Sequence, residues 1–134
     1  ASDTRGRSAF YPVLQGVRSA CPQIPTTLPA LDELIGCNEV TLDTVHQYLY
    51  AESQYVLPQG HVFSLRAETE GMALLPTLEK LLVMWGAASG GIRTLGAVYK
   101  SLDLERLPLH QIGWGQVPGR PGYLAMQGRA LSAF

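Results

Sequence analysis

The residue pair with the best spacing for acid–base chemistry is Asp43 and His46, which lie three positions apart in a segment of helical periodicity. This separation places two side chains on one face of a helix. A carboxylate there can orient an imidazole that serves as a general base. Catalysis would also need a nucleophile and a cleft beside the pair, and the sequence predicts neither. We therefore interpret Asp43 and His46 as a candidate polar site, with an exposed surface pair as the alternative.

The remaining histidines offer no further chemistry at the level of sequence. His61 and His110 are isolated, and no HxxxH, HExxH or paired Cys/His spacing occurs. Those spacings bring ligands together around zinc or a catalytic metal. We therefore predict no metal site, no catalytic residue and no cofactor.

The glycine-rich segment Gly86–Gly91 precedes a predicted helix, and such loops can hold phosphate at a helix N-terminus. It departs from the Walker pattern GxxxxGK[ST], because Ile92 and Arg93 occupy the Lys and Ser/Thr positions. Ser89 is followed directly by two glycines, so the GxSxG nucleophile elbow is also absent. The composition favours a hinge between helices. An enzyme or ligand-binding domain would have a pocket near Asp43, His46 and this loop.

Composition is that of one compact domain spanning residues 1–134, with residues 1–8 as a flexible polar arm. The chain is 46% hydrophobic and 16% charged with a net charge of -1, which excludes a disordered tail. Its basic residues are dispersed, which disfavours nucleic acid and anionic membranes as partners. No apolar run is long enough to span a bilayer. Because the chain begins without Met, we expect it to be the soluble part of a longer protein whose membrane anchor lies outside it.

Two cysteines, Cys21 and Cys37, flank a proline-rich segment. A disulfide between them would close a loop of about 16 residues and stabilise the fold by roughly 3 kcal/mol. Such a bond would place the domain in an oxidising compartment, periplasmic or extracellular. The alternative is a pair of buried free thiols in a cytosolic protein.

The order of predicted elements indicates an α+β fold, in which helices pack on one face of a small antiparallel sheet that ends in a β-hairpin. A ferredoxin-like arrangement is one form of it. Apolar spacing and turn residues predict the following elements: helices from Pro12 to Cys21, Thr27 to Gly36, Thr41 to Val56, Pro76 to Gly86 and Ile92 to Leu102; strands at His61–Ala67, Leu109–Val117 and Gly122–Leu131. We expect the hairpin to face the helices through Leu109, Ile112, Trp114, Leu124 and Met126.

The closing segment resembles the periplasmic domains of fimbrial-assembly and type II secretion inner-membrane platform proteins. Those domains share a helix with spaced leucines, a strand of the form "L..I.W", a turn, and a strand ending in a Gly-Arg-Ala-Ser-like stretch. The matching residues are Leu95, Val98, Leu102, Leu109, Ile112, Trp114, Leu124, Met126, Gly128, Arg129, Ala130 and Ser132. The resemblance implies a non-enzymatic scaffold that pairs with itself or with sibling proteins.

Together these observations favour a structural or interaction domain, a periplasmic scaffold component of a secretion or pilus-assembly machine. Its partners would be proteins, with self-association through a sheet edge or through an apolar helix surface. Tyr48, Tyr50 and Tyr55 place aromatic side chains on more than one face of the predicted helix, which is consistent with such a contact patch. The alternatives are the small enzyme or ligand-binding domain with a pocket near Asp43, His46 and Gly86–Gly91, and a secreted effector that docks a partner protein.

Overall fold

The computed structural model describes residues 4–37, 39–88 and 90–131, and within them the α+β class is confirmed. Four helices and four strands occur in these ranges. In chain order they are β1 (Tyr11–Leu14), β2 (Val17–Arg18), α1 (Leu31–Leu34), α2 (Val45–Glu52), α3 (Leu75–Ala87), α4 (Leu95–Lys100), β3 (Leu109–Gly115) and β4 (Leu124–Leu131).

The strands form one sheet in the order β2-β1-β3-β4. β3 and β4 pair antiparallel as the predicted C-terminal hairpin, with a register irregularity between His110 and Ile112. β1 pairs antiparallel with β2 but parallel with β3, with Tyr11 opposite Leu109. The sheet is therefore mixed, and the prediction of an antiparallel sheet is wrong. Parallel neighbours need a long crossover, and the helices lie in the one that joins β2 to β3.

The predicted helix from Pro12 to Cys21 is wrong, because this segment forms the hairpin β1–β2. Its two-residue loop, Gln15 and Gly16, has φ values of 52° and 80°. Positive φ at both central residues defines the type I′ turn that suits a tight hairpin. The run Phe10–Val13 is buried throughout, and a short continuous apolar run fits a buried strand as well as a helix.

The helices build the main apolar core. α3 confirms the helix predicted from Pro76, and Leu81 on it is fully buried. α2 and α4 are shorter than predicted, and the Thr94 hydroxyl caps α4 by accepting from the Ala97 N–H at 3.1 Å. The buried cluster consists of Leu28, Leu31, Val40, Val45, Leu49, Leu74 and Leu81, with Leu34, Ile35, Tyr50, Phe63 and Trp85 packed against it.

Two further sequence expectations are corrected by the structure. The segment His61–Ala67 is not a strand; its Val62 carbonyl accepts hydrogen bonds from the N–H groups of Thr27 and Leu28, each at 3.1 Å. Trp114 is not a core residue, because 67% of it is exposed. One face of the hairpin therefore presents an indole to solvent.

Short parallel contacts extend the sheet beyond β4 and position the site described below. Arg5 forms isolated parallel bridges to Met126 on one side and to Thr26 on the other. The Arg5 N–H donates to the Ala125 carbonyl at 2.9 Å, and the Gln127 N–H donates to the Arg5 carbonyl at 2.7 Å. Residues 4–6, interpreted from sequence as part of a polar arm, thus lie between β4 and the segment around Thr26.

Candidate functional site

A buried carboxylate, Glu33 on α1, lies at the centre of the most highly charged cluster in the described part of the chain. Its side chain is 1% exposed. The Oε2 atom accepts the Ala30 N–H at 2.9 Å and an Arg5 Nη2–H at 3.2 Å. Because an ionised carboxylate loses hydration on burial, it needs paired positive charge and hydrogen bonds to be stable there.

Two guanidinium groups supply that charge from opposite ends of the chain. Arg5 Nη2 lies 2.8 Å from Glu33 Oε1, and Arg120 Nε lies 3.5 Å from the same oxygen. Both contacts are ion pairs outside hydrogen-bond geometry, so Oε1 itself accepts no hydrogen bond. The two arginine side chains are 14% and 26% exposed. The carboxylate is therefore screened from solvent on two sides by positive charge.

Arg120 reaches this position because the β3–β4 turn packs directly on α1. Gly119 has φ of 83° and lies against the Glu33 backbone, so a Cβ built on it would be 2.8 Å from the Glu33 Cα. Glycine adopts this conformation without steric cost and allows the close approach. The turn is thereby held where the Arg120 side chain meets Glu33.

A third arginine, Arg66, faces the same cavity and is less firmly paired. Its Nη1 lies 3.6 Å from Asp32 Oδ2, and its side chain is 48% exposed. Its backbone is fixed more tightly, since Arg66 N–H donates to the carboxylate of buried Glu70 at 2.9 Å. An ion pair this exposed is weak, so the Arg66 guanidinium is free to exchange its partner for a ligand.

These arginines line a cavity of about 130 Å³. Thr26 and Ser64 bring hydroxyl groups to the wall, with their oxygen atoms 3.0 Å apart. The full lining is Arg5, Thr26, Leu28, Ala30, Ser64, Leu65, Arg66 and Arg120. Guanidinium and hydroxyl groups in one concave site suit an anionic or heavily hydroxylated ligand, because arginine donates in a fixed planar fork to phosphate and carboxylate.

A larger groove adjoins this arginine cavity. It has a volume of about 970 Å³ and shares Leu28, Ser64 and Leu65 with the cavity as common wall. Its apolar surface comes from α3, α4 and the segments around residues 53–65 and 101–108. The two spaces are thus adjacent: the arginine cavity is lined largely by charged and hydroxyl groups, and the groove largely by apolar side chains with Arg93, Asp103 and Arg106.

The residues singled out from sequence lie elsewhere or contribute only in part. Asp43 is exposed in the turn before α2, and His46 is half-buried on α2 with a buried Nδ1 that has no hydrogen-bond partner among the described residues. Neither residue lines the arginine cavity or the groove. Gly90 and Gly91 of the glycine-rich segment do line the groove. The structure therefore does not bring Asp43 and His46 together with that segment.

The proposed disulfide is wrong, because Cys21 and Cys37 are both free thiols. Cys21 is exposed, whereas Cys37 is half-buried with its Sγ 3.3 Å from the Glu33 carbonyl oxygen. The oxidising compartment inferred from that bond loses its support.

We expect a thiol titration of unreduced, unfolded protein to find two free thiols per chain. In the folded protein Cys21 should react before Cys37, because access to the sulfur limits reactivity. A Cys21→Ser variant serves as the control and should retain only the slow thiol. Finding no free thiol in the unfolded, unreduced protein would contradict the structure.

Sequence reasoning missed the arginine cavity for a physical reason. Arg5, Glu33 and Arg120 come from three separate parts of the chain, and no local spacing links them. Glu33 follows Asp32 in a short helix, so it is indistinguishable from a solvated residue. Glu70 lies in a polar segment whose composition is typical of an exposed turn, yet it is buried and accepts a hydrogen bond from the Arg66 N–H.

Residues 4–37, 39–88 and 90–131 contain neither a metal-binding cluster nor a membrane-spanning helix. No group of three or more His, Cys, Asp or Glu side chains is arranged to hold a metal ion. No helix in these ranges combines the length and apolar character required to cross a bilayer.

An α+β chain with a buried arginine–carboxylate cluster beside an apolar groove is a candidate ligand-binding structure. Comparison with known proteins indicates the class of function. No family model matches the chain. It is 30% identical over 133 residues to the probable 4-deoxy-4-formamido-L-arabinose-phosphoundecaprenol deformylase ArnD of Wigglesworthia glossinidia brevipalpis, a match that covers 97% of this chain and 44% of that protein. It is 33% identical over 135 residues to the probable deformylase of the same name from Shewanella sediminis (strain HAW-EB3), covering 98% of this chain and 41% of the relative. The chain therefore spans less than half the length of these curated relatives.

These similarities correct the expectation of a scaffold. The resemblance to secretion and pilus platform proteins rested on an amphipathic pattern in the last 40 or so residues, whereas the similarity to deformylases extends over nearly the whole chain. The interpretation as a non-enzymatic scaffold component of a secretion or pilus-assembly machine is therefore wrong. The enzyme alternative agrees better with the relatives.

Proposed function

We propose that this chain belongs to the same family as these deformylases and forms part of a hydrolase acting on a formamido sugar carried by a polyprenyl phosphate. The observation that carries the proposal is sequence identity of 30% and 33% across almost the entire chain. The arginine cavity supports it, because such a substrate combines a hydroxylated sugar with a phosphate.

Deformylation is the hydrolysis of an amide. Water adds to the formyl carbon, the carbon–nitrogen bond breaks, formate departs, and the sugar nitrogen leaves as an amine after gaining a proton. The residues that line the arginine cavity are suited to binding and orientation, since their polar members are arginines and hydroxyl-bearing residues. Correct orientation of a substrate lowers the barrier by converting a collision into a unimolecular step.

Within this proposal the three arginines have different roles. Arg5 and Arg120 are committed to Glu33 at 2.8 and 3.5 Å, so they shape the cavity and direct N–H groups to sugar hydroxyls. Arg66 is the loosely paired cation, and it binds the phosphate. A charge-assisted hydrogen bond of this kind contributes about 1.5–3 kcal/mol, enough to hold the sugar–phosphate linkage at the mouth of the cavity.

A chimera tests the proposal directly. We would replace the segment of the Shewanella sediminis relative that aligns with this chain by this chain, and measure formate release from a lipid-linked 4-formamido sugar. We expect the chimera to release formate. Introducing Arg66→Ala into it should raise KM at least about tenfold, as expected for loss of one such hydrogen bond.

The matched control is Arg129→Ala, which removes an exposed arginine on β4 that lines neither the arginine cavity nor the groove. It should leave KM unchanged. The unmodified relative must release formate under the same conditions. A chimera with a native circular dichroism spectrum and cooperative unfolding, yet without formate release, would count against the proposed function.

A further inference from the structure

The groove between α3 and α4 is lined by apolar side chains that a folded domain would normally cover. Leu82 on α3 is 44% exposed, Leu95 on α4 is 37% exposed, and Ile92 between the helices is 58% exposed. Trp85 and Val98 form part of its wall. Contiguous exposed apolar surface of this kind marks a ligand groove or an interaction site. Its volume of about 970 Å³ lies in the range of small-molecule sites.

The arginine side chains at the groove indicate which kind of ligand would bind there. Arg93 lines it and has no carboxylate within ion-pair distance among the described residues. Arg106 and Asp103 also line it and lie 3.6 Å apart, so the charged lining carries a net positive charge. The groove also lies beside the arginine cavity, with which it shares Leu28, Ser64 and Leu65 as wall residues. An occupant that complements both spaces has an extended apolar part joined to an anionic head.

We propose that this groove binds the polyprenyl chain of a polyprenyl-phosphate-linked sugar, with the phosphate at Arg66 and the sugar in the arginine cavity. The inference rests on the proposed function, since the carrier lipid appears in the names of the relatives. Burial of apolar area provides the affinity for the chain. The arginines at the boundary fix the position of the head and prevent the chain from entering in the reverse direction.

Trp85 in the groove wall allows a direct test with the 134-residue chain. Trp114→Phe removes the other tryptophan, which is exposed on β3 and lines neither space. Emission of Trp85 would be followed during titration with farnesyl phosphate, farnesol and inorganic phosphate. We expect farnesyl phosphate to shift the emission and to bind at least about tenfold more tightly than farnesol, and inorganic phosphate to leave the emission unchanged.

Neighbouring positions on α3 provide matched variants. Leu82→Glu places a carboxylate in the groove, whereas Val83→Glu alters a residue that is 73% exposed and does not line it. Farnesyl phosphate should bind at least tenfold more weakly to the Leu82→Glu variant than to the unsubstituted chain. Its affinity for the Val83→Glu variant should be unchanged. Ile92→Glu is a second groove variant, with the same expected loss, in case Leu82→Glu fails to fold.

Several outcomes would overturn the inference. One is equal loss of binding in Leu82→Glu and Val83→Glu; another is binding of inorganic phosphate as tight as that of farnesyl phosphate. A third is a dimer of the unliganded chain that Leu82→Glu converts to a monomer without any lipid binding, because a second copy would then occupy the groove.

The chimera separates this inference from the proposed function. If the chimera releases formate from a substrate lacking the lipid while the chain does not bind farnesyl phosphate, only the groove assignment fails. If the chain binds farnesyl phosphate but the folded chimera is inactive, the proposed function fails instead.

Discussion

Replacing Glu33 by glutamine is expected to lower the free energy of unfolding by about 4 kcal/mol, because removing one partner of a buried ion pair leaves the other charge uncompensated. Glutamine keeps the size of the side chain but removes the charge that Arg5 and Arg120 face at 2.8 and 3.5 Å. Its amide group also brings N–H donors toward guanidinium donors, so one buried polar group loses its partner. Urea unfolding followed by circular dichroism measures the change.

The neighbouring residue supplies the control for this prediction. Asp32 pairs with Arg66 at 3.6 Å, and both side chains are more than 40% exposed. Asp32→Asn should therefore lower the free energy of unfolding by less than about 1 kcal/mol. The slope of that free energy against urea concentration should be unchanged. Similar losses for the two variants would show that burial of Glu33 contributes nothing special to stability.

Replacing Gly119 by alanine is expected to lower the free energy of unfolding by about 3 kcal/mol, from a left-handed backbone and a steric overlap acting together. The φ of 83° disfavours any Cβ, and the added methyl carbon would lie 2.8 Å from the Glu33 Cα. The β3–β4 turn must then move away from α1, which carries Arg120 away from Glu33. Thermal and urea unfolding measure this loss of stability.

Gly122, in the same turn, separates the two causes. Its φ is 77°, but no heavy atom lies within 4 Å of a Cβ built there. Gly122→Ala therefore introduces the backbone strain without the steric overlap, and it should lower the free energy of unfolding by about 1 kcal/mol. Equal losses at Gly119 and Gly122 would mean that the contact with the Glu33 backbone is not tight.

The sequence predicted those elements whose stability is determined locally. α3 was recognisable because Pro76 lies in its first turn and leucines recur at helical spacing up to Trp85. The β3–β4 hairpin was recognisable from period-2 segments on both sides of a Pro/Gly turn. In both cases neighbouring residues carry the signal.

Elements that depend on distant partners were missed or misassigned. The run Phe10–Val13 fits a helix or a strand, and its pairing with β3 decides the outcome. The burial of Glu33 could not be predicted locally, because the arginines that allow it come from residues 5 and 120. Trp114 was assigned to the core on the apolar character of its side chain, which does not specify the face of the strand that packs.

The parallel pairing of β1 with β3 has a consequence for how the chain folds. The pairing at the centre of the sheet joins Tyr11 on β1 to Leu109 on β3, so it closes a long loop that contains all four helices. Closure of such loops is slow because the chain loses entropy before the contact stabilises it. During synthesis β1 can pair with β2 at once, but its other edge stays open until β3 has been made, and an open apolar strand edge favours aggregation.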